Sequence, residues 1–300
     1  MTTIADLINQ IDRELLTHFS RPLYDVPAGA YNNSTTSIQL ANQSTVGVGS
    51  VLDSELELMY VTEWNSSTKT ATVIRGFLGT TKAGGTTASL VRINPRFPTP
   101  AMYDAIADEL YSWDERLFRV EADSLSFGAD DTAVEATPTT APYRVLFARP
   151  QPASGDNVRR KVEVELRRGE PSGQFASGYS LQIEQPFGSA TTVDVAYACA
   201  FDFSAVTSTT NLESTLSLTT GMLEVLKWGA LSRMMAGKEA GKEAGRLDPT
   251  VMHRPDLDQA VPAGTSLQAG AQYMRLRDLA YDREARRLLA QWPIKRGYGW

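Results

Sequence analysis

Two residue types that carry much of protein chemistry are nearly missing from this chain of 300 residues. It has one cysteine, Cys199, and two histidines, His18 and His253. A lone cysteine closes no internal disulfide, so the fold must hold by its cores, as suits a reducing compartment. Cys199 sits in the apolar run VAYACAF, where a thiol is expected to be a small buried hydrophobe and not a nucleophile. His18 falls at the end of a helical pattern and His253 in a loop, VMHRPDLD. No His-Glu-x-x-His or Cys-x-x-Cys pattern accompanies them, so no zinc site is expected. A Gly-x-Ser-x-Gly elbow is also missing, which leaves a serine hydrolase without support. No apolar run reaches the length of a membrane span. The first residues, MTTIADLINQIDREL, are acidic and amphipathic, unlike a secretory leader. A soluble, cytosolically made protein is the expectation. Nor is there a basic excess: 29 Lys and Arg stand against 35 Asp and Glu, a net charge of −6, which argues against holding duplex DNA by a basic surface.

What remains is enough to build cores, since 42% of the residues are hydrophobic. Ile4, Leu7, Ile8, Ile11 and Leu15 fall at helical spacing, with Thr2 or Thr3 placed to cap the start. Residues 23–96 turn to short alternating pieces rich in Thr, Ser, Gly and Val, the pattern of a small all-β unit. Thr99-Pro100 then opens a second helix, with Thr99 as cap and an apolar stripe of Met102, Ile106, Leu110, Trp113 and Leu117. Residues 120–212 are β-rich again, with strands expected at 143–148, 161–167, 179–184 and 192–203, a sandwich or jelly roll. Helix returns from about Leu216, where Leu223, Leu226, Trp228, Leu231, Met234 and Met235 make a broad apolar face. A last helix follows from Thr265 to Gln291, whose apolar set includes Leu267, Ala271, Met274, Leu276, Leu279, Ala280, Leu288 and Leu289. Amphipathic helices need partners for their stripes. The class expected is therefore α+β: a discontinuous four-helix bundle (1–22, 97–119 and 213–292) with a small meander inserted at 23–96, a second β domain at 120–212, and a tail at 293–300.

The stretch VIRGFLGTTKAGGTT, Val73 to Thr87, tests for a nucleotide site. A P-loop places its Lys directly after a glycine, whereas Lys82 follows Thr81, and the residues beyond are β-branched where a helix should open. The stretch is expected to be a Gly-rich loop between the last two strands of a three-stranded meander, with an earlier turn at Asn65-Ser66-Ser67. Carboxylates cluster at Asp53/Glu55/Glu57, Asp130/Asp131 and Asp256/Asp258. Paired carboxylates serve glycoside hydrolysis, but in polar segments they are more often solvated turns. GKEAGKEAGR spaces Gly237, Gly241 and Gly245 four apart, which on a helix is either a ridge for close subunit contact or a fraying end. Arg283, Arg286 and Arg287 lead into Trp292, Lys295, Arg296, Tyr298 and Trp300. This is either a salt-bridged exposed face or an arm that docks on an acidic protein surface through aromatic anchors, and the free aromatics favour docking.

One resemblance carries function. The segment from Val61 to Trp113 resembles a recurring segment of tailed-bacteriophage neck proteins: a strand pair, an RGxxGT turn at Arg75, Gly76, Gly79 and Thr80, a strand, then an N-P-R-F step at Asn94, Pro95, Arg96 and Phe97 into a helix. Leu223–Met235 and VPAGTSLQAGAQYMRLRDLAYDREARRLL with its closing Trp-Pro look like the helical end of head–tail connector, or adaptor, proteins. The resemblance covers the first β unit and all four helices. It implies a virion protein of the head–tail junction without enzymatic activity or cofactor. It also implies a ring, commonly of twelve copies, below the portal, bridging portal and next tail or stopper ring and lining the channel for double-stranded DNA. The C-terminal segment, residues 292–300 with the arginines at its base, would reach the portal. The alternatives are a minor tail or tail-completion protein, and a glycan-binding or glycan-cleaving virion module carried by residues 120–212.

Overall fold

A computed structural model of the protein describes residues 2–16, 23–42, 45–151, 162–204, 206–247 and 265–292, with backbone alone over 236–247 and 265–268. The protein is of the α+β class, and its described residues form five α-helices and three sheets. It divides into two compact units, one of Met1–Tyr111, Val206–Leu212 and Leu223–Ala280, the other of Ser112–Ala205, Glu213–Met222 and Tyr281–Trp300.

The first unit begins with α1 (Ile4–Leu16). Its apolar set is buried as the spacing predicts. Thr3 and Asp6 form a capping pair: the Asp6 N–H donates to Thr3 Oγ1 at 3.1 Å, and the Thr3 N–H donates to Asp6 Oδ2 at 3.0 Å. Two more N–H groups of the first turn, from Ile4 and Ala5, donate to the carbonyls of Thr210 and Ser208. The helix start thus leaves few donors unsatisfied.

Six short strands follow: β1 (Leu23–Asp25), β2 (Ser37–Gln39), β3 (Val51–Ser54), β4 (Glu57–Asn65), β5 (Thr70–Ile74) and β6 (Val91–Ile93). Their order is β1-β6-β3-β4-β5-β2. The sheet curls until its edges meet, since the Ala28 N–H donates to Gln39 O at 2.8 Å and the Ala41 N–H to Val26 O at 2.9 Å. The result is a curled half-barrel whose edge strands β1 and β2 are linked by the bridge Pro27 to Leu40, which shields part of each edge. Ile38, Leu52, Met59, Val61, Ala71, Val73, Val91 and Ile93 fill the interior. This corrects the expected three-stranded meander. The turn after Asn65 does join β4 to β5, but the Gly-rich stretch carries the chain away from β5, and β6 pairs with β3 and β1.

Helix α2 (Thr99–Tyr111) buries Met102, Ile106 and Leu110. It stops before Trp113 and Leu117, which are buried but not helical. The Asp114 carboxylate accepts the Arg116 N–H at 2.8 Å, a local turn that competes with helix. Thr99 also differs from its expected role. Its hydroxyl donates to Asp53 instead of accepting, and Asp53 Oδ2 takes the Thr99 N–H at 2.7 Å. The cap of α2 comes from β3. After the short α3 (Leu212–Thr215), helices α4 (Thr220–Leu247) and α5 (Thr265–Gln291) complete the set. Trp228 stacks on Tyr273 with centroids 5.7 Å apart, and Ser232 Oγ donates to Gly270 O at 3.2 Å.

In the second unit, β7 (Arg119–Phe127), β12 (Thr191–Cys199) and β9 (Pro142–Pro150) form one sheet in the order β7-β12-β9. β10 (Val164–Arg168), β11 (Tyr179–Ile183) and β8 (Ala133–Glu135) form another in the order β10-β11-β8. Leu125, Phe127, Leu181, Ile183, Val193, Val195 and Tyr197 from both sheets share one core, which makes this a sandwich. Cys199 lies at its edge, fully buried, and burial pushes its thiol up to about 12. It is an inert packing residue.

Candidate functional site: the barrel tip and the last helix

The RGxxGT stretch is explained by the tip of the barrel. Arg75 follows directly on β5, and its guanidinium meets Glu57 from β4: Nε to Oε1 at 2.8 Å and Nη2 to Oε2 at 2.5 Å. Both side chains are buried. The remaining guanidinium donors go to the carbonyls of Asn32, Thr35 and Ala83, and Glu57 also accepts the N–H groups of Gly76 and Ala83 at 2.8 Å each. Burial pushes the Glu57 carboxyl up, but the bonds from Arg75, Ala83 and Gly76 together outweigh it and hold it below its ordinary value of 4.5. Only glycine fits at 76, where φ is +66° and a Cβ would stand 2.9 Å from the Thr80 carbonyl. Thr80 Oγ1 accepts the Leu58 N–H at 3.0 Å and so pins the loop to β4. The motif is a clasp that fixes two loops, β1–β2 and β5–β6, around one ion pair. Lys82 follows in an extended stretch, and the next regular element is β6, so no phosphate-binding helix start is present there.

The neighbouring carboxylates do not converge. Asp53 caps α2, and burial raises its carboxyl against the opposing bonds from Thr99. Glu57 serves the clasp. Glu55 sits on the two-residue turn between β3 and β4, where Ser89 Oγ donates to it at 2.8 Å. Asp131 accepts the Gly128 N–H at 2.6 Å in a turn, while Asp256 and Asp258 lie outside the described residues, as do His18 and His253. Among the described residues no three His, Cys, Asp or Glu side chains gather as a metal-binding group, and no helix is long and apolar enough to cross a membrane.

Beside the clasp lies an open groove of about 550 Å³. Its walls include Glu55, Leu56, Leu78, Pro100, Tyr103 and Asp104. Three of these residues are costly choices. Glu55 and Leu56 have φ of +52° and +65°, and Leu78 has φ of +55°. The β3–β4 connection has two residues with positive φ, a turn that favours Asn-Gly and here is Glu-Leu. Each side chain held there costs on the order of 1 kcal/mol. Leu78 is in addition 77% exposed. Desolvation and then the neighbouring Asp108 push the Asp104 carboxyl up. Nothing in the spacing of the sequence announced this groove; the one available signal was a bulky pair, Glu-Leu, where a tight turn was due.

Only part of the apolar set expected of the last helix is buried. Met274 is 47% and Leu279 70% exposed. The buried side carries Ala269, Tyr273, Ala280, Tyr281, Ala285 and Leu288, with Glu284 among them. Two carboxylates that the sequence places on helix surfaces are buried and hold helices. Glu109 of α2, 3% exposed, accepts from Arg277 Nε at 2.8 Å and Arg233 Nε at 3.1 Å, which ties α2, α4 and α5. Glu284 accepts from Thr219 and from Arg287 Nη2 at 2.7 Å. Arg287 is therefore paired, Arg283 and Arg286 are exposed, and Trp292 is half-buried and stacks on Phe147 at 5.7 Å and 11°. Lys295, Arg296, Tyr298 and Trp300 lie outside the described residues. Gly237, Gly241 and Gly245 fall inside the continuous helix α4, with only their backbone described. Compared with known proteins, the chain matches no family model and no curated sequence.

Proposed function

We propose that this chain is a structural protein of a tailed-bacteriophage head–tail junction, forming a ring below the portal and lining the DNA channel. The observation that carries the proposal is the use made of buried charge. Glu57, Asp53, Glu109 and Glu284 are buried, and each uses its carboxylate to hold one element to another. That is the economy of a building block, and it agrees with the resemblance of the RGxxGT segment and the C-terminal helices to adaptor proteins. In this reading α1, α2, α4 and α5 act as one discontinuous four-helix bundle that makes the ring wall. The close glycines of α4 meet a neighbouring copy. Arg283, Arg286 and the segment from Pro293 to Trp300 dock on the portal, with Trp292 kept in the fold by its stack on Phe147.

The electrostatics suit a channel. About twelve copies at −6 each carry roughly −72, and the share of it that faces the lumen repels phosphate, so DNA slides instead of sticking. The test is a reconstruction of the intact virion neck. A twelve-fold ring directly under the portal, with Trp300 against portal density, is the expected result. Placement at three- or six-fold symmetry further down would move the protein to the tail, and its absence from the particle would overturn the reading.

A further inference from the structure

We propose that the groove at the barrel tip captures the C-terminal segment, residues 293–300, of a second copy of this chain. The groove is shaped at a cost that folding alone does not demand. Glu55, Leu56 and Leu78 occupy left-handed positions where glycine or asparagine would sit without strain, and Leu78 faces solvent. Backbone strain gathered on one concave surface points to a binding role for the side chains that impose it. Those side chains specify their ligand. Leu56, Leu78, Pro100 and Tyr103 offer apolar contact, while Glu55 and Asp104 add two carboxylates, and Asp104 has no ion-pair partner among the described residues. The matching chemistry is a short segment that is basic and aromatic.

The chain holds such a segment at its end. PIKRGYGW carries Lys295 and Arg296, no acidic side chain, and two aromatic anchors in Tyr298 and Trp300. Aromatic anchors in apolar pockets, flanked by opposite charges, are the usual source of affinity in small interfaces. The occupant is a second copy because a ring supplies one at every groove, and weak capture repeated around a ring sums to firm assembly. In that respect the inference rests on the ring reading. The same eight residues then have two acceptors in sequence, a neighbouring copy before attachment and the portal after it.

The test uses the full chain with an aromatic photo-crosslinking amino acid, which keeps a ring at the anchor position, in place of Trp300, mixed as heavy-isotope and unlabelled copies. The expected result is crosslinks from one isotope to residues 55–56, 78–81 or 103–104 of the other. Leu78→Asp, at a solvent-facing position, should lower their yield about tenfold or more, as loss of an anchor does. A paired Glu55→Asn, Leu56→Gly change should raise the melting temperature and still lower the yield. Crosslinks within one copy, or to another surface, would overturn the inference, as would full yield in both variants. Failure here and failure of the head–tail reading separate cleanly. A neck ring whose Trp300 crosslinks elsewhere removes only the groove. Capture by a protein absent from the neck removes only the ring.

Discussion

Arg75 and Glu57 show how a residue-scale choice sets a loop. The pair is desolvated and every guanidinium donor that faces inward has an acceptor. Removing one partner leaves a buried charge alone, which costs about 3–5 kcal/mol. Glu57→Gln should therefore destabilise the protein strongly by denaturant titration, whereas an exposed carboxylate such as Glu165 should tolerate the same change. The pH dependence has a definite sign. The Glu57 carboxyl lies below its ordinary 4.5 in the folded protein, so its contribution is fully present above 4.5 and is lost as pH falls through the lower folded value. Thermal melting followed from pH 7 to 3 should show this loss, and Glu57→Gln should flatten it. Asp53 has the opposite sign. Its carboxyl is raised by burial, so the folded state favours the neutral acid and loses stability as pH rises from 3.8. Asp53→Asn keeps an acceptor for the Thr99 N–H and sheds the charge. It should cost less than about 1 kcal/mol at pH 7, whereas Asp53→Ala removes the cap and should cost about 0.5–2 kcal/mol. The arginine of RGxxGT was visible in the sequence as part of a motif. Its partner stood out only as one of three clustered carboxylates, because Glu57 is 18 residues away and nothing local ties it to Arg75.

Elements tell a similar story about what a pattern can carry. The stripes of α1 and α2 were legible because a helix buries residues at fixed spacing, and Ile4, Leu7, Ile11, Met102 and Ile106 obey it. Of the three-residue strands, β2 and β6 fall within the short alternating pieces that the sequence shows at 36–40 and 88–93, whereas β1 holds too short an alternation to read. The place of β6 beside β3 was also hidden, since pairing across a curled sheet is set by closure and not by local sequence. In α5 the hydrophobic count misled. Tyr273 and Tyr281 are buried while Leu279 is exposed, because Arg277 and Glu284 also turn inward to make ion pairs. Glu109 is the center of that arrangement, and α4 makes room for it. A Cβ on Gly229 would stand 2.2 Å from the Glu109 Cδ. Gly229→Ala should therefore cost about 1–3 kcal/mol by forcing the carboxylate out of place. In a Glu109→Ala background the obstacle is gone, and the same change should stabilise by up to about 1 kcal/mol through helix propensity. A double-mutant cycle by chemical denaturation reads the difference. Additive effects would show that α4 does not hold its glycine for Glu109.

At the scale of the whole molecule, folding and attachment are assigned to different parts of one chain end. Trp292 belongs to the fold, since its ring lies flat against Phe147. Such an aromatic pair is worth about 0.5–1.5 kcal/mol beyond the area it buries. Residues 293–300 are instead assigned to partners under the head–tail reading. Deleting them should leave the thermal transition where it is and abolish attachment to the portal, measured by co-sedimentation with portal rings. Trp292→Ala should do something different, lowering the transition while the eight residues beyond it remain able to bind. Leu78→Asp separates the two acceptors, since it should leave portal attachment intact and remove only capture by a neighbouring copy. Unchanged attachment after the deletion would mean that the portal is held elsewhere. The exposed Arg283 and Arg286 would then be the next charges to replace, because they project from the helix that leads into the tail.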